Sequence, residues 1–358
     1  MRFYFTLFAS FFSIVSYAQN TGYQSTIKDT SAWFYAKTIT SHDLKKHLYI
    51  IASDSMQGRM TASIGQKKAA KYIAKEMKRI GLLPAVVTGK DSSYFQKFKV
   101  VKSGWGMALY RNRDSDNRNP SEALETENVI GWIEGTDKKD EFVIISAHYD
   151  HIGIEDNKIH YGADDNGSGT SSILEMAEAF MKAKKAGKGP RRSIVFMLVS
   201  GEEVGLLGSQ YYADFDPIFP VNKTVVDLNT DMIGRIDDKY LATKTTDYVY
   251  LIGSDKLSMD LYNLQEDVNK NSLQLKLDYT YNDVSHPEML YYRSDHYNFA
   301  KKGIPVIFYF SGLHEDYHKP TDTPEKIHYP KMTKIAQLIF LTAWEIANRD
   351  ERIKLDKK

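Results

Sequence analysis

This sequence predicts an α/β fold, a mostly parallel central sheet with helices on both faces. Three observations predict it. Runs such as Val129–Ile133, Phe142–Ile145, Ile194–Val199 and Val306–Phe310 are apolar throughout, as strands buried on both faces are. Segments with apolar residues at helical spacing lie between them, the alternation that builds a parallel sheet. Hydrophobic residues make up 42% and charged residues 26% of the 358, an ordinary globular composition with apolar material for a large core.

The chain opens with Arg2, an apolar run from Phe3 to Val15, and Ser16-Tyr17-Ala18. A positive start, a short hydrophobic stretch and a small-residue site read as a secretory signal peptide cleaved after Ala18. The run is shorter than the roughly 20 residues that span a bilayer. A secreted or periplasmic protein without a stable membrane anchor is expected. Residues 19–40 read as an extended arm, 41–350 as one catalytic domain and 351–358 as a polar tail.

Within the domain, Leu44, Leu48 and Ile51 predict a helix over 41–53 capped by Ser41. Ala69, Ile73, Met77 and Ile80 predict a second over 66–80, stopped by Gly81. Residues 91–128 hold short strand-like pieces and a polar tract, 111–120, that reads as a solvated turn. Beyond them helices are expected over 168–185, 206–213, 256–270 and 331–348, and further strands over 224–228 and 248–252. His42, His47 and His328 read as surface residues.

Charge excludes some partners. With 47 basic and 46 acidic residues the net charge is +1, which gives no reason to expect nucleic acid or an anionic membrane surface. The sequence has no cysteine, so disulfides, thiolate metal sites and a cysteine nucleophile are excluded. Any metal must be held by nitrogen and oxygen.

In open α/β sheets ligands bind beyond the carboxyl ends of the strands. His148-Tyr149-Asp150-His151, Glu202-Glu203 after Gly201, Asp231, and the stretch from Ser311 to His318 each follow a predicted strand, and Asp164-Asp165-Asn166 precedes a predicted helix. Carboxylates buried without partners are costly, and divalent cations compensate them. Imidazole and carboxylate without thiolate suit zinc. Two histidines and several acids exceed one tetrahedral ion and suit a pair about 3.5–4 Å apart.

At this point the sequence resembles metallopeptidase family twenty-eight of clan MH, the co-catalytic zinc aminopeptidases. The resemblance rests on His148-x-Asp150, Gly-Ala-Asp-Asp-Asn-Gly-Ser-Gly at 162–169, Glu202-Glu203 followed by Gly205 and Gly208-Ser209, Asp231-Met232-Ile233-Gly234, Ser294-Asp295-His296, and His318 with Asp322-Thr323. It runs from about residue 41 to the C-terminal helix. It implies the zinc-dependent exopeptidase sandwich, two Zn2+ per chain and peptide substrates. His148 and Asp231 would bind one zinc, Glu203 and His318 the other, and Asp164 would bridge them. Asp150 would orient His148, and Glu202 would be the general base and then acid. In such enzymes the peptide bond after the bridging aspartate is often cis, here Asp164–Asp165. Asp165 reads as a loop-stabilising residue, and His151 as structural or rim. Asp295, His296, Tyr291 and Tyr292 are candidates for supporting the ligands or lining the substrate site, and His314 competes with His318 as ligand.

Three alternatives remain at the level of sequence. They are a single-zinc glutaminyl cyclase on the same fold, a carboxypeptidase of the same clan, and a non-catalytic binding domain, which the intact ligand set disfavours. The preferred substrate residue and the oligomeric state are not legible.

Overall fold

The structure, a computed structural model, describes residues 30–104, 106–111 and 120–357. The expected signal peptide, 1–18, and most of the tract 111–120 lie outside these residues. Helices α1 (Thr30–Ala36), α2 (Ser41–Ile51) and α3 (Ile64–Ile80) come first. Strands β1 (Leu83–Pro84), β2 (Val86–Thr88), β3 (Asp91–Ser93), β4 (Phe95–Ser103), β5 (Gly106–Tyr110), β6 (Leu124–Ile133) and β7 (Lys138–His148) follow, then a hairpin of β8 (Gly153–Glu155) and β9 (Lys158–His160). The rest alternates: α4 (Gly169–Lys185), β10 (Arg192–Val199), α5 (Leu207–Asp214), β11 (Thr224–Thr230), α6 (Asp238–Thr243), β12 (Tyr248–Ile252), α7 (Met259–Lys270), β13 (Lys276–Asp278), α8 (His296–Ala300), β14 (Val306–Phe310) and α9 (Tyr329–Asn348).

One large sheet runs β13-β12-β14-β11-β7-β10-β6-β4-β5, with β1 also on β6. Its centre, β14, β11, β7 and β10, is parallel, as the continuous apolar runs predict. Antiparallel pairing begins at β6 on one side and at β12 on the other. Successive residues of β7 serve opposite cores: Val143, Ile145 and Ala147 join the one packed by α2, α3, α4 and α9, and Ile144 joins the one with Tyr212 of α5 and Phe299 of α8. Each such side chain is fully buried, a contribution of about 1.5–3 kcal/mol for the larger ones. The sheet is thereby held rigidly between two layers, with its central carboxyl ends aligned.

Four local expectations differ from the structure. Residues 30–36 form α1 because Ala32, Tyr35 and Ala36 have an apolar surface to bury against, and Tyr35 stacks on Trp344 of α9 at 6.0 Å. The cap of α2 is Thr40, whose hydroxyl accepts the Asp43 amide, so Ser41 is already inside the helix. His47 is buried between Tyr72 (2.6 Å) and Glu175 (3.1 Å), which satisfy both ring nitrogens. The C-terminal residues are docked: Ile353 is buried and Arg352 donates to the carbonyls of Asn222 and Thr224. Among the described residues no helix is long and apolar enough to cross a membrane.

Candidate metal centre

Strand ends bring the polar residues together. His148 closes β7, in register with Val199, the last residue of β10. After Val199 the chain turns through Gly201 at φ 88 and presents Glu202 and Glu203. Asp231 follows β11, and His318, with φ 57, comes from the loop after β14. Asp165 comes from the turn Ala163–Ser168 that leads into α4.

The geometry centres on Asp165. One carboxylate oxygen, Oδ1, lies 3.3 Å from His148 Nε2; the other, Oδ2, lies 3.0 Å from His318 Nε2. His148 Nε2 is also 3.3 Å from Asp231 Oδ1 and 4.0 Å from Glu202 Oε2. His318 Nε2 is 3.3 Å from Glu203 Oε2. Two overlapping sets have ligand atoms mutually within 4.8 Å: His148, Asp165 and Glu203, and His148, Glu202 and Asp231.

Asp164 is not among them, which corrects the expectation from the sequence. Its Oδ1 accepts the Gly234 amide at 2.6 Å and its Oδ2 lies 3.3 Å from His314 Nε2. Within the turn Ala163–Ser168 the backbone leaves helical dihedrals at Asp165 (φ −102, ψ 97), and the two carboxylates part there, Asp165 toward His148 and His318 and Asp164 toward Gly234 and His314. Asp165 therefore occupies the place expected of Asp164, and the cis peptide bond is Asp165–Asn166, one bond later than expected. His314 goes with Asp164, away from the cluster.

A surrounding layer fixes these groups. His148 Nδ1 is 3.2 Å from the Asp150 carbonyl and 3.8 Å from the Asp150 carboxylate, so the backbone oxygen is the nearer partner. The carboxylate instead accepts the Thr61 hydroxyl at 2.7 Å and the Glu202 amide at 3.3 Å. His151, expected as a structural or rim residue, is buried with Nδ1 2.6 Å from Glu203 Oε1. Ser294 donates to Asp231 Oδ2 at 2.8 Å, and Asp322 Oδ2 accepts the amides of Asp164 and Asp165. Tyr317 stacks on His318 at 3.8 Å. Asp295 is buried and accepts Ser209 Oγ. Burial raises its carboxyl to about 7, opposed by the charge of His148. His296 lies between Tyr291 and Phe308, where burial pushes its imidazole down to about 3. Tyr291 and Tyr292 pack on each other and on Tyr297; among the described residues no hydrogen bond or ring contact joins them to the cluster.

The electrostatics ask for added positive charge. Burial pushes the Glu202 carboxyl well above its ordinary value, and Glu203 and Asp231 act in the same direction against His148. Burial would likewise raise Asp165, but His148 and His318 hold it well below the usual carboxylate range. His148 Nε2 and Asp231 Oδ1 are buried with no hydrogen-bond partner. Buried polar atoms of this kind require a partner, and a cation between them supplies it. Imidazole and carboxylate donors fit zinc.

A sequence profile of peptidase family M28 matches residues 128–343. The chain belongs to that family. Over 217 residues, 59% of its length, this M28 chain is 34% identical to a probable leucine aminopeptidase of Arthroderma otae, covering 55% of that protein. It is 25% identical over 336 residues to aminopeptidase YwaD of Bacillus subtilis, covering 90% of this chain and 67% of that one. The chain thus spans little more than half the length of the first of these relatives. The fold is similar to that of the LapA aminopeptidase of Legionella pneumophila, with a TM-score of 0.67 at 21% identity, covering 92% of this chain and 77% of that one.

Proposed function

We propose that this M28 chain is a zinc exopeptidase, an aminopeptidase that removes N-terminal residues from peptides, and that it holds two zinc ions. The observation that carries the reading is the Asp165 carboxylate, with one oxygen toward His148 and the other toward His318. His148 and Asp231 would hold one ion, Glu203 and His318 the other, with Asp165 between them. Bound there, zinc supplies Lewis-acid polarisation of the scissile carbonyl and lowers the pKa of a water. The names of the relatives support the aminopeptidase reading, and the sequence of residues 1–18 supports export to the periplasm or beyond.

The chain's own residues supply the proton transfers. Glu202 lies beside the cluster, 4.0 Å from His148 Nε2, and no hydrogen bond to its carboxylate ties it down among the described residues. It takes a proton from the attacking water as the oxygen–carbon bond forms. It returns that proton to the amine nitrogen as the carbon–nitrogen bond breaks. Asp150 fixes the start of this residue through the Glu202 amide, and His151 holds Glu203 turned toward His318. Free amino-terminal and carboxyl-terminal products follow, with no net proton consumed by Glu202.

A panel of aminoacyl chromogenic substrates and N-blocked peptides, assayed with and without chelator, tests the reading. Cleavage of the unblocked substrates alone, abolished by chelator and restored by zinc, is expected. Cleavage of N-blocked peptides overturns the aminopeptidase assignment. One zinc per chain, with pyroglutamate formed from an N-terminal glutamine, would mean a glutaminyl cyclase.

A further inference from the structure

The segment before the sheet contains a fully buried arginine that the catalytic scheme does not use. Arg59 ends the turn Asp54–Arg59 at φ 55 and is 0% exposed. Its guanidinium donates four hydrogen bonds, all to backbone carbonyls. Nε reaches Tyr149 at 2.8 Å, Nη1 reaches Ile51 at 2.8 Å and Tyr161 at 2.7 Å, and Nη2 reaches Gly162 at 2.8 Å. Its own carbonyl accepts the His151 amide at 3.3 Å.

These partners are not scattered. Tyr149 stands between His148 and Asp150, and Tyr161-Gly162 lead directly into the turn that carries Asp165. Ile51 is the last residue of α2. One planar group therefore joins the end of β7, the entry to the Asp165 turn and the end of a helix. Two residues on, Thr61 holds the Asp150 carboxylate. Among the described residues no carboxylate pairs directly with Arg59, so its charge is left to act on the centre as a whole. Burial lowers its pKa to about 10, opposed by Asp165, Asp150, Asp322 and Glu203, so it is charged at neutral pH.

We propose that Arg59 is a positioning residue for the metal centre: its guanidinium sets the separation of the His148 and Asp165 segments, and its charge steadies the carboxylates around them. The inference rests on the two-zinc reading above. A lysine would keep the charge but not the planar fork that reaches three segments at once.

The test compares wild type, R59K and a control of similar stability loss, I339A, whose side chain is buried in α9 far along the chain from these loops. The readouts are zinc affinity by chelator competition, the Tm of the zinc-free protein, and kcat and KM at saturating zinc. R59K is expected to bind zinc at least about tenfold more weakly and to lose at least about tenfold in kcat, with KM changed less than about twofold. The control is expected to keep zinc affinity and kcat at the same loss of Tm. R59K that loses Tm yet keeps zinc affinity and kcat makes Arg59 a purely structural residue and overturns the inference. Should R59K fail to fold, hydrogen exchange of wild type with and without zinc decides. Concerted protection of 149–151 and 161–165 on zinc binding supports the coupling, and protection of one segment alone overturns it. Wild type that binds no zinc overturns the two-zinc reading itself, a result distinct from either.

Discussion

Asp164 and Asp165 are chemically identical neighbours with different surroundings. Asp165 Oδ1 and Oδ2 face His148 and His318, whereas Asp164 faces Gly234 and His314. Asp165→Asn is expected to lose zinc and lower turnover by about 10²-fold or more, on the scale of a disrupted metal site. Asp164→Asn keeps an oxygen for the Gly234 amide and is expected to retain zinc, at a cost mainly in Tm. Zinc content by elemental analysis alongside kcat separates the two. Glu202→Gln is expected to keep zinc and lose about 10²–10⁴-fold in kcat, the scale of general acid–base catalysis. At this scale the sequence identified which segments converge but not which of two adjacent acids turns inward, because both satisfy the same motif and only the path of the turn decides. The same holds for His151, whose position beside a ligand says nothing of the 2.6 Å contact with Glu203.

Helices and strands were legible where one physical pattern dominates. The continuous apolar runs of β7, β10, β11 and β14 announced a parallel centre, and Gly81, at φ 97, ends α3 as expected. The antiparallel flanks were not legible: β4 interrupts its apolar residues with the exposed Lys97, Lys99 and Lys102, β5 is only five residues long, and pairing partners are not encoded in hydropathy. The α4 entrance shows how tightly elements meet at the centre. A Cβ on Gly169 would stand 2.5 Å from the Thr230 carbonyl at the end of β11. Gly169→Ala is therefore expected to push α4 off the sheet and lower Tm and kcat together, measured by thermal melting and assay of the same preparation. The first turn of α9 carries a different strain. Lys331 is 2% exposed, with Nζ 3.1 Å from the centroid of the Tyr248 ring. Burial pushes its ammonium down to about 6 against the pull of Asp164, Asp237 and Asp247, compared with about 10.4 in an unfolded chain. Between these values the unfolded state binds a proton that the folded state does not, so stability rises with pH through that window, by up to about 1.4 kcal/mol per pH unit. Lys331→Met is expected to flatten this rise and to raise Tm at pH 7, checked by melting curves from pH 6.5 to 9.

Across the whole molecule, metal and fold should be coupled. The centre buries several carboxylates whose mutual repulsion falls when a cation enters, so zinc binds the folded chain in preference to the unfolded one. Free zinc at 1,000 times its Kd stabilises a one-site protein by about 4 kcal/mol. Chelation is expected to lower Tm, and zinc added back to restore it in proportion to the logarithm of its concentration. An unchanged Tm would mean that the cluster is not a metal site. The overall architecture was legible because ordered strand-end motifs and alternating apolar segments agree.

The dispersal of the centre along the polypeptide has a consequence for the cell that makes it. His148 closes one strand and His318 follows another 170 residues later, with Asp165, Glu203 and Asp231 spaced between them. A ribosome must therefore expose every residue up to His318 before the last histidine can join the others. No nascent fragment ending before that point holds the complete cluster, so the peptidase activity proposed above would be silent until His318 has been made. On that reading the order of synthesis itself would guard the compartment in which the chain is made.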